Sequence, residues 1–242
     1  MPPSIEGHEL AVLQFSGGKD SLACLHLMRP WWHKIIVMWV NTGDAFPETI
    51  EQMRQVADLV PRFVEIKSDQ RLQIHDEGWP SDIVPVSATQ FGRLVEGHRG
   101  PIVQGYPRCC AQNIWTPMQR AVVQSGATLI IQGTRKADGR RARGVELNTP
   151  KGKINFLFPV WEWSIDDVLR YLDREGLTPA HYSETATGLD CMHCTAYLNE
   201  NADKMRYLER HHPSASAEVQ RRLKIIRDLA LADLAHLEQA VL

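Results

Sequence analysis

The sequence predicts an α/β fold with a doubly wound, mostly parallel sheet, followed by a helical extension at the C-terminal end. Short continuous apolar runs alternate with segments of helical periodicity, the pattern of strands that helices cover on both faces. Glycine-containing polar segments follow three of these runs, at the strand ends where ligands bind in such folds. From Ser214 onward, apolar residues recur at helical spacing, which predicts one long helix.

The first part of the chain alternates regularly between strand and helix. Pro30 ends the first predicted helix because proline cannot continue the hydrogen-bond ladder, and Pro47 suits the first turn of the second helix. The predicted elements are a strand at Leu10–Phe15, a helix at Asp20–Met28, a strand at Ile35–Val40, a helix at Pro47–Leu59 and a strand at Phe63–Ile66.

The middle of the chain is less regular. A helix is predicted at Asn113–Gln124 and a buried strand at Thr128–Gln132, whereas Gln70–Arg108 and Thr134–Lys153 have the composition of loops. The expected division is a sheet domain over residues 1–198 and a C-terminal helical extension over residues 199–242. We interpret the long C-terminal helix as a packing element, with a homodimer interface as the alternative.

Composition narrows the classes of protein. The 242 residues are 43% hydrophobic, enough for a sizeable core. The 27 Lys and Arg residues against 29 Asp and Glu residues give a net charge of −2, so the overall charge demands neither nucleic acid nor a membrane as partner. No apolar run approaches the ~20 residues that span a bilayer, and residues 1–9 lack the pattern of a secretory signal. We therefore expect a cytoplasmic protein that binds no membrane.

The loop after the first predicted strand has the residues of a pyrophosphate cradle. Glycines let the backbone approach an anion, and the free N–H groups of a following helix favour negative charge. Two hydroxyls, a lysine and a candidate magnesium ligand complete the loop. An ordinary tight turn with a serine cap is the alternative. The run reads Ser16-Gly17-Gly18-Lys19-Asp20-Ser21.

Four of the 5 cysteines form two close pairs: Cys109 and Cys110 are adjacent, and Cys191 and Cys194 form Cys-x-x-Cys. In a chain expected to be cytosolic, these spacings favour a metal centre over disulfides. Adjacent cysteines suit different irons of one [4Fe-4S] cluster, while zinc or reactive thiols are the alternatives. Cys24, among leucines of the first helix, is expected to be a core residue.

The glycine loop resembles the PP-loop of the adenine-nucleotide pyrophosphatase superfamily, written Ser-Gly-Gly-x-Asp-Ser. Three further segments, which look like signatures of the phosphoadenosine phosphosulfate (PAPS) reductase family, narrow the resemblance to it. They are Val40–Thr49, Gly133–Lys136 and Pro159–Val168. The resemblance implies an adenine nucleotide alpha-hydrolase-like fold, with a nucleotide bound at the strand ends.

The cysteine pattern is similar to that of iron–sulfur adenylyl sulfate (APS) reductases, which carry a doublet and then Cys-x-x-Cys about eighty residues later. The resemblance implies that a [4Fe-4S] cluster is ligated by Cys109, Cys110, Cys191 and Cys194. His193, between the second pair, is expected either to adjust the cluster through its contacts or to face solvent.

One feature departs from the family. Its reductases attack the nucleotide with a cysteine in a C-terminal Glu-Cys-Gly-Leu/Ile-His segment, and no cysteine follows Cys194 in this sequence. Three functions therefore stand: ATP-dependent adenylation with sulfur transfer, as in DNA phosphorothioation and tRNA thiolation enzymes; APS or PAPS reduction with the thiol supplied elsewhere; and nucleotide- and redox-responsive binding without turnover. The first is our main expectation, with an unidentified sulfur or electron donor.

The resemblance also implies roles for individual residues. The PP-loop is expected to hold the phosphates, Lys19 to neutralise the leaving group, and Asp20 to bind magnesium in an ATP enzyme. Gly133 and Arg135 are expected to contact the nucleotide, and Arg135 is expected to pair with a phosphate and to act in catalysis. The candidates for binding the adenosine edge or a magnesium-bound water are Asn41, Thr42, Gly43 and Asp44.

The segment from Arg135 to Arg143 carries additional positive charge. Arg140, Arg141 and Arg143 lie close together in the sequence, with a glycine on either side of the stretch. This loop is a candidate for contact with a polyanionic acceptor such as nucleic acid, and a solvated surface loop is the equal alternative.

Overall fold

A computed structural model describes residues 5–97, 100–138, 148–149, 152–197, 199 and 202–241. It confirms the predicted α/β class. The strands are β1 (Ala11–Gln14), β2 (Ile35–Asn41), β3 (Phe63–Lys67), β4 (Trp79–Ser81), β5 (Val103–Gly105), β6 (Leu129–Gln132), β7 (Asn148–Thr149), β8 (Gly152–Lys153) and β9 (Asn155–Leu157). The α-helices are α1 (Lys19–Leu27), α2 (Pro47–Leu59), α3 (Gln70–Glu77), α4 (Gln90–Glu96), α5 (Tyr106–Cys110), α6 (Thr116–Ser125), α7 (Ile165–Arg174), α8 (Ala202–His211) and α9 (Pro213–Val241).

Five parallel strands form the main sheet, in the order β3-β2-β1-β6-β9. Leu13 at the centre of β1 is paired with Val37 of β2 on one side and Ile131 of β6 on the other. Because all five strands point the same way, the segments that follow β1 and β6 both leave from the carboxyl edge of the sheet. The topology therefore confirms the predicted parallel arrangement.

Apolar side chains cover both faces of this sheet. Leu13 packs with residues of α1, α2 and α7 in one cluster, whereas its neighbour Val12 packs with residues of α6 in another. This alternation follows from the two-residue period of a strand. Cys24 of α1 has no exposed surface and lies in the first cluster, which confirms that it is a core residue.

The chain separates into two compact units that interleave along the sequence. Unit 1 comprises residues 1–41, 45–67 and 116–183, and contains the five-stranded sheet. Unit 2 comprises residues 42–44, 68–115 and 184–242, and contains α3, α4, α5, α8, α9 and the short parallel pair β4–β5. Its apolar core includes Ala88, Val103 and Ile226. The division after residue 198 stays a prediction.

The interpretation of Gln70–Arg108 as a loop was wrong. The segment contains α3, β4, α4 and β5, and α5 begins within it. These elements are too short to give a detectable period, but capping residues mark both α3 and α4. Asp69 accepts a hydrogen bond from the N–H of Leu72 at 3.0 Å, and Thr89 accepts one from the N–H of Gly92 at 3.0 Å.

The helix predicted at Asn113–Gln124 begins later than expected. A π-helical turn at Ala111–Trp115 continues α5, and α6 then starts at Thr116. Such turns are rare and occur often at functional sites.

The long helix predicted from Ser214 onward is present as α9. No helix in the described part of the chain has both the length and the apolar character needed to cross a bilayer.

Replacing Gly133 with alanine should destabilise the protein by about 1–3 kcal/mol, because a Cβ there would overpack the fold. The added atom would lie 2.5 Å from the carbonyl carbon of Asp20 and 2.5 Å from the nitrogen of Ser21. Thermal unfolding of Gly133→Ala measures the effect. Gly105→Ala is the control, since its Cβ would lie 3.6 Å from the nearest atom, Pro107 Cδ. Equal losses in the two variants would contradict the prediction.

Candidate functional site

The loop between β1 and α1 has a fixed backbone shape. Gly17 has a positive φ of 83°, and a Cβ there would lie 2.9 Å from Met53 Cε. Both facts favour glycine at this position. The Ser21 hydroxyl donates to the carbonyl of Gly18 at 2.9 Å, and the Ser16 and Ser21 hydroxyl oxygens are 3.2 Å apart. The two serines thus hold the turn that leads into α1.

The N-terminus of α1 has a tyrosine hydroxyl as an acceptor. The N-cap residue, Gly18, has no side chain that could cap this helix. Instead, the N–H of Lys19 donates to the Tyr182 hydroxyl at 2.8 Å. The Lys19 ammonium lies 5.7 Å from the centre of the Tyr182 ring. Tyr182 therefore contacts both the amide and the ammonium of Lys19, two groups that an anion at this loop would use. Sequence reasoning missed Tyr182 because it lies 163 residues away along the chain.

Charged side chains at the start of α1 form a compact group. The Lys19 ammonium is 3.3 Å from one Asp20 carboxylate oxygen, and Arg135 Nε is 2.9 Å from the other. Arg135 also contacts Asp138, with 2.8 Å between Nη2 and Oδ1. Lys19 and Arg135 are buried, at 8% and 6% exposure. Buried charges need such partners, so the group is held together by mutual compensation.

The contact between Asp20 and Arg135 is an ion pair without a well-aligned hydrogen bond. Asp20 Oδ1 and Arg135 Nε are both buried, and neither has a hydrogen-bond partner within the described residues. Buried polar atoms of this kind are rare and suit a site that receives a ligand. The sequence did not identify Asp138 as a partner of Arg135. Its position three residues after Arg135 could have indicated the ion pair.

The four candidate residues after β2 divide between the two units. Asn41 lies in unit 1, where its side-chain amide donates to Glu65 at 2.7 Å. Thr42, Gly43 and Asp44 lie in unit 2. The Thr42 hydroxyl is 3.6 Å from Cys191 Sγ, and Asp44 contacts the residues between Cys191 and Cys194. The predicted role of these residues in binding a nucleotide stays a prediction.

The four paired cysteines all belong to unit 2. Cys109 and Cys110 end α5, while Cys191 and Cys194 lie in the segment that precedes α8. The side-chain amide of buried Gln70 links the pairs: its Nε2 is 3.4 Å from Cys109 Sγ and 3.5 Å from Cys191 Sγ. One thiol of each pair therefore lies beside the same N–H donor.

Other polar groups also point at the sulfurs. Asn113 Nδ2 is 3.7 Å from Cys109 Sγ, and the Tyr197 hydroxyl is 3.7 Å from Cys110 Sγ. Donors of this type stabilise thiolates and tune metal-bound sulfur. The sequence did not identify Gln70, Asn113 or Tyr197 as residues of this site. Only Asn113 could have been suspected, because it lies three residues after Cys110 in the sequence.

Burial raises the pKa of all four thiols. Desolvation raises the pKa of Cys110 to about 12, and the neighbouring Cys109 and Cys194 thiols add to this increase. Burial also raises the pKa of Cys194, whereas the positive charge of Lys204 lowers it. The Lys204 ammonium donates to the carbonyl of Cys191 at 2.8 Å. Desolvation therefore favours the neutral form of these thiols, and positive charge nearby favours the thiolate.

The chemistry of the donor set suits metals that bind thiolates. Four thiols with N–H and O–H donors beside them are the ligand type that both iron–sulfur clusters and zinc use. Within the described ranges, no group of three His, Cys, Asp or Glu side chains that could hold a metal ion is present. The cluster therefore stays a prediction.

The structure describes His193 but not the three arginines predicted to contact an acceptor. His193 Nδ1 lies 2.6 Å from Asp44 Oδ1, and the His193 side chain is 27% exposed. Arg140, Arg141 and Arg143, predicted to contact a polyanionic acceptor, lie outside the described residues. The structure therefore describes only the first arginine of that segment, Arg135.

Comparison with known proteins gives consistent matches. Residues 10–197 match the profile of the family described as phosphoadenosine phosphosulfate reductase domain. Proteins named phosphoadenosine 5'-phosphosulfate reductase match from Alkalilimnicola ehrlichii, at 30% identity over 77% of this chain and 71% of that protein, and from Synechococcus, at 29% over 70% and 67%. The protein of the same name from Yersinia enterocolitica is 28% identical. The match covers 69% of this chain and 62% of that protein.

Solved structures with similar folds have low sequence identity. A PAPS reductase from Candida auris in complex with phosphate has a TM-score of 0.46 and 16% identity, over 71% of this chain and 76% of that one. The U34-tRNA thiolase NcsA from Methanococcus maripaludis with its [4Fe-4S] cluster has a TM-score of 0.45 and 14% identity, over 91% and 71%.

Cys24 should resist alkylation in the folded protein. Its thiol has no exposed surface, it lies 3.8 Å from the carbonyl oxygen of Gln132, and burial raises its pKa. Iodoacetamide labelling followed by mass spectrometry should modify Cys24 only after denaturant is added. Labelling of Cys24 in the folded state as fast as in denaturant would show that the thiol is available as a nucleophile.

Proposed function

The chain belongs to the phosphoadenosine phosphosulfate reductase family, and from that membership we propose that it is an ATP-dependent enzyme of sulfur transfer. In this proposal an adenine nucleotide binds with its phosphates on the Ser16–Ser21 loop. The enzyme adenylates an oxygen of its acceptor and sulfur then replaces that oxygen. The names of the relatives support sulfur chemistry, and the choice of ATP depends on the residues of the loop.

The position of Asp20 is the observation that carries this choice. Its carboxylate lies between Lys19 and Arg135 at the start of α1, within a loop suited to anions. A carboxylate repels a bound phosphate unless a divalent cation joins the two. Magnesium brought with ATP satisfies both Asp20 and the phosphates, and leaves Arg135 free to pair with phosphate oxygens.

The proposed reaction has two steps. The acceptor oxygen attacks the α-phosphorus of ATP, the bond to the bridging oxygen breaks, and pyrophosphate leaves. Lys19 neutralises the charge that develops on pyrophosphate, while Arg135 orients the phosphate. A sulfide-level donor then attacks the acceptor atom that carries the adenylated oxygen. The bond to sulfur forms, the bond from that atom to the oxygen breaks, and AMP leaves with the oxygen.

The cysteines of unit 2 complete the proposal. Cys109, Cys110, Cys191 and Cys194 would hold a [4Fe-4S] cluster, which when bound supplies a place for a sulfur atom or an electron. Gln70, Asn113 and Tyr197 would donate hydrogen bonds to the ligating sulfurs. In this proposal the acceptor is a polyanion such as nucleic acid, and it would contact the segment Arg135–Arg143.

The relatives favour a second candidate, reduction of APS or PAPS to sulfite. That route needs a thiolate to attack the sulfur of the nucleotide. Within this chain Cys24 is buried, and the proposal assigns the other cysteines to the cluster. A reductase would therefore need a thiol from another chain or segment. A nucleotide-binding protein without turnover is the third candidate.

Product analysis separates the three candidates. Anaerobically prepared protein is incubated with magnesium and ATP, or with APS or PAPS plus thioredoxin, in each case with and without tRNA or DNA. We expect AMP and pyrophosphate from ATP, stimulated by an acceptor. Sulfite from APS or PAPS would support the reductase, and binding without any product would support the third candidate.

Removing the Lys19 ammonium should weaken nucleotide binding. A hydrogen bond to a charged group contributes about 1.5–3 kcal/mol, so Lys19→Ala should lose that much affinity for ATP. Isothermal titration calorimetry measures the loss. Lys67→Ala is the control because the Lys67 side chain is 78% exposed and lies outside the loop. Equal affinity in both variants would argue against the loop as the phosphate site.

Anaerobic protein should be brown and contain about four iron atoms per chain. Replacing any one of Cys109, Cys110, Cys191 or Cys194 with serine should lower the iron content, whereas Cys24→Ser should leave it unchanged. Metal analysis and visible absorption give the measurement. One zinc per chain and no iron would contradict the assignment.

A further inference from the structure

The segment that follows β2 makes a set of contacts that the proposed function does not use. Thr42 and Asp44 both contact the turn from Cys191 to Cys194, which we call the cysteine turn. We propose that Asp44 is a positioning residue for this turn, acting through His193, and that Thr42 supports the same structure. Part of the test depends on the proposed cluster, and part does not.

Asp44 holds both residues between the two cysteines. Its carbonyl oxygen accepts a hydrogen bond from the N–H of Met192 at 2.7 Å. Its carboxylate accepts the N–H of His193 at 2.9 Å through Oδ2, and Oδ1 lies 2.6 Å from His193 Nδ1. The N–H of Cys194 donates to the carbonyl of Cys191 at 3.3 Å and closes the turn.

The environment of Asp44 makes these contacts strong. Its side chain is 9% exposed, and a carboxylate withdrawn from water needs hydrogen-bond donors. Each carboxylate oxygen has a partner in His193, which compensates in part for the water that burial removes. Because hydrogen bonds to a charged group in a poorly solvated site are stronger than those at the surface, the pair should restrain the turn.

Thr42 connects the same segment to the other cysteine pair. Its hydroxyl lies 3.6 Å from Cys191 Sγ, and its carbonyl oxygen accepts the N–H of Gln70 at 3.1 Å. The side chain of Gln70 in turn contacts Cys109 and Cys191. Thr42 and Asp44 therefore support the cysteine turn directly, and Thr42 also fixes the backbone of the residue that links the two pairs.

Basic side chains hold the carbonyl groups of the cysteine turn. Lys204 donates to the carbonyl of Cys191 at 2.8 Å, and Arg222 Nη1 lies 3.4 Å from the carbonyl of His193. Glu218 pairs with Arg222 at 2.6 Å and fixes its guanidinium. The N–H groups of Met192 and His193 thus face Asp44, while the carbonyl groups of Cys191 and His193 face cations. This arrangement preorganises the thiols before a cofactor binds.

The test measures how well the turn protects its thiols in metal-free protein. The variants are Asp44→Asn, His193→Gln and the double variant, with exposed Asp58→Asn as the matched control. Alkylation of Cys191 and Cys194 by iodoacetamide, followed by mass spectrometry, should be about tenfold faster in each single variant, because local opening of the turn becomes easier. The double variant should react no faster than the faster single variant, because the His193 ring acts through the Asp44 carboxylate, which is already lost in Asp44→Asn.

Two further readouts keep the inference separate from the proposed function. In reconstituted protein, Asp44→Asn should lower the iron content and change the visible absorption. Lys19→Ala should lose ATP affinity and keep the original alkylation rates, whereas Asp44→Asn should raise those rates. If the starting protein binds no iron, the proposed cluster fails, yet the alkylation rates still test Asp44.

Unchanged alkylation of Cys191 and Cys194 in a folded Asp44→Asn variant would overturn the inference. So would loss of ATP binding without any change at these thiols, because Asp44 would then serve the nucleotide. If Asp44→Asn does not fold, as judged by circular dichroism, His193→Gln alone decides. Faster alkylation in that variant supports the contact, and unchanged alkylation rejects it.

Discussion

The packing of Gly133 against the first turn of α1 is the contact on which the Ser16–Ser21 loop depends. With no Cβ at this position, the backbone after β6 lies directly against Asp20 and Ser21, and Arg135 reaches the Asp20 carboxylate. The contacting atoms, Asp20 Oδ1 and Arg135 Nε, are buried, so separating them leaves two poorly solvated groups. The Lys19 ammonium, 3.3 Å from the other Asp20 oxygen, is a second cationic partner of this carboxylate. In the proposed function, magnesium that arrives with ATP would compensate Asp20 when Arg135 pairs with a phosphate.

The cysteine centre of unit 2 has the opposite electrostatic requirement. Desolvation raises the pKa of its four thiols, which favours their uncharged form. The positive charge of Lys204 lowers the pKa of Cys194. In the proposed function, the cluster would supply the further positive charge that four thiolates need and would displace their protons. Hydrogen-bond donors such as Gln70 then keep their partners, because they can donate to a ligated sulfur as well as to a thiol.

The sequence allowed prediction of those parts of the fold and of the candidate site that depend on local pattern. The parallel sheet followed from its apolar runs, and α2 was predicted over its observed length at Pro47–Leu59. Cys24 was predicted as a core residue from its leucine neighbours. The short helices and strands between residues 70 and 108 were missed, because a helix of two turns shows no measurable period. Tyr182 and Gln70 were also missed, since their contacts with Lys19 and the cysteines join residues distant in the chain.

Thr42 and Asp44 illustrate why a motif does not by itself assign a ligand. A polar segment after a buried strand predicts a binding site, because strand ends in such sheets face ligands. The same polar atoms can equally satisfy backbone N–H groups of another segment, and Asp44 does so for Met192 and His193. The pattern of residue types is identical in the two cases, and only the partner differs. The contacts of the buried Asp44 are with Met192 and His193, so they favour a structural role in the cysteine turn.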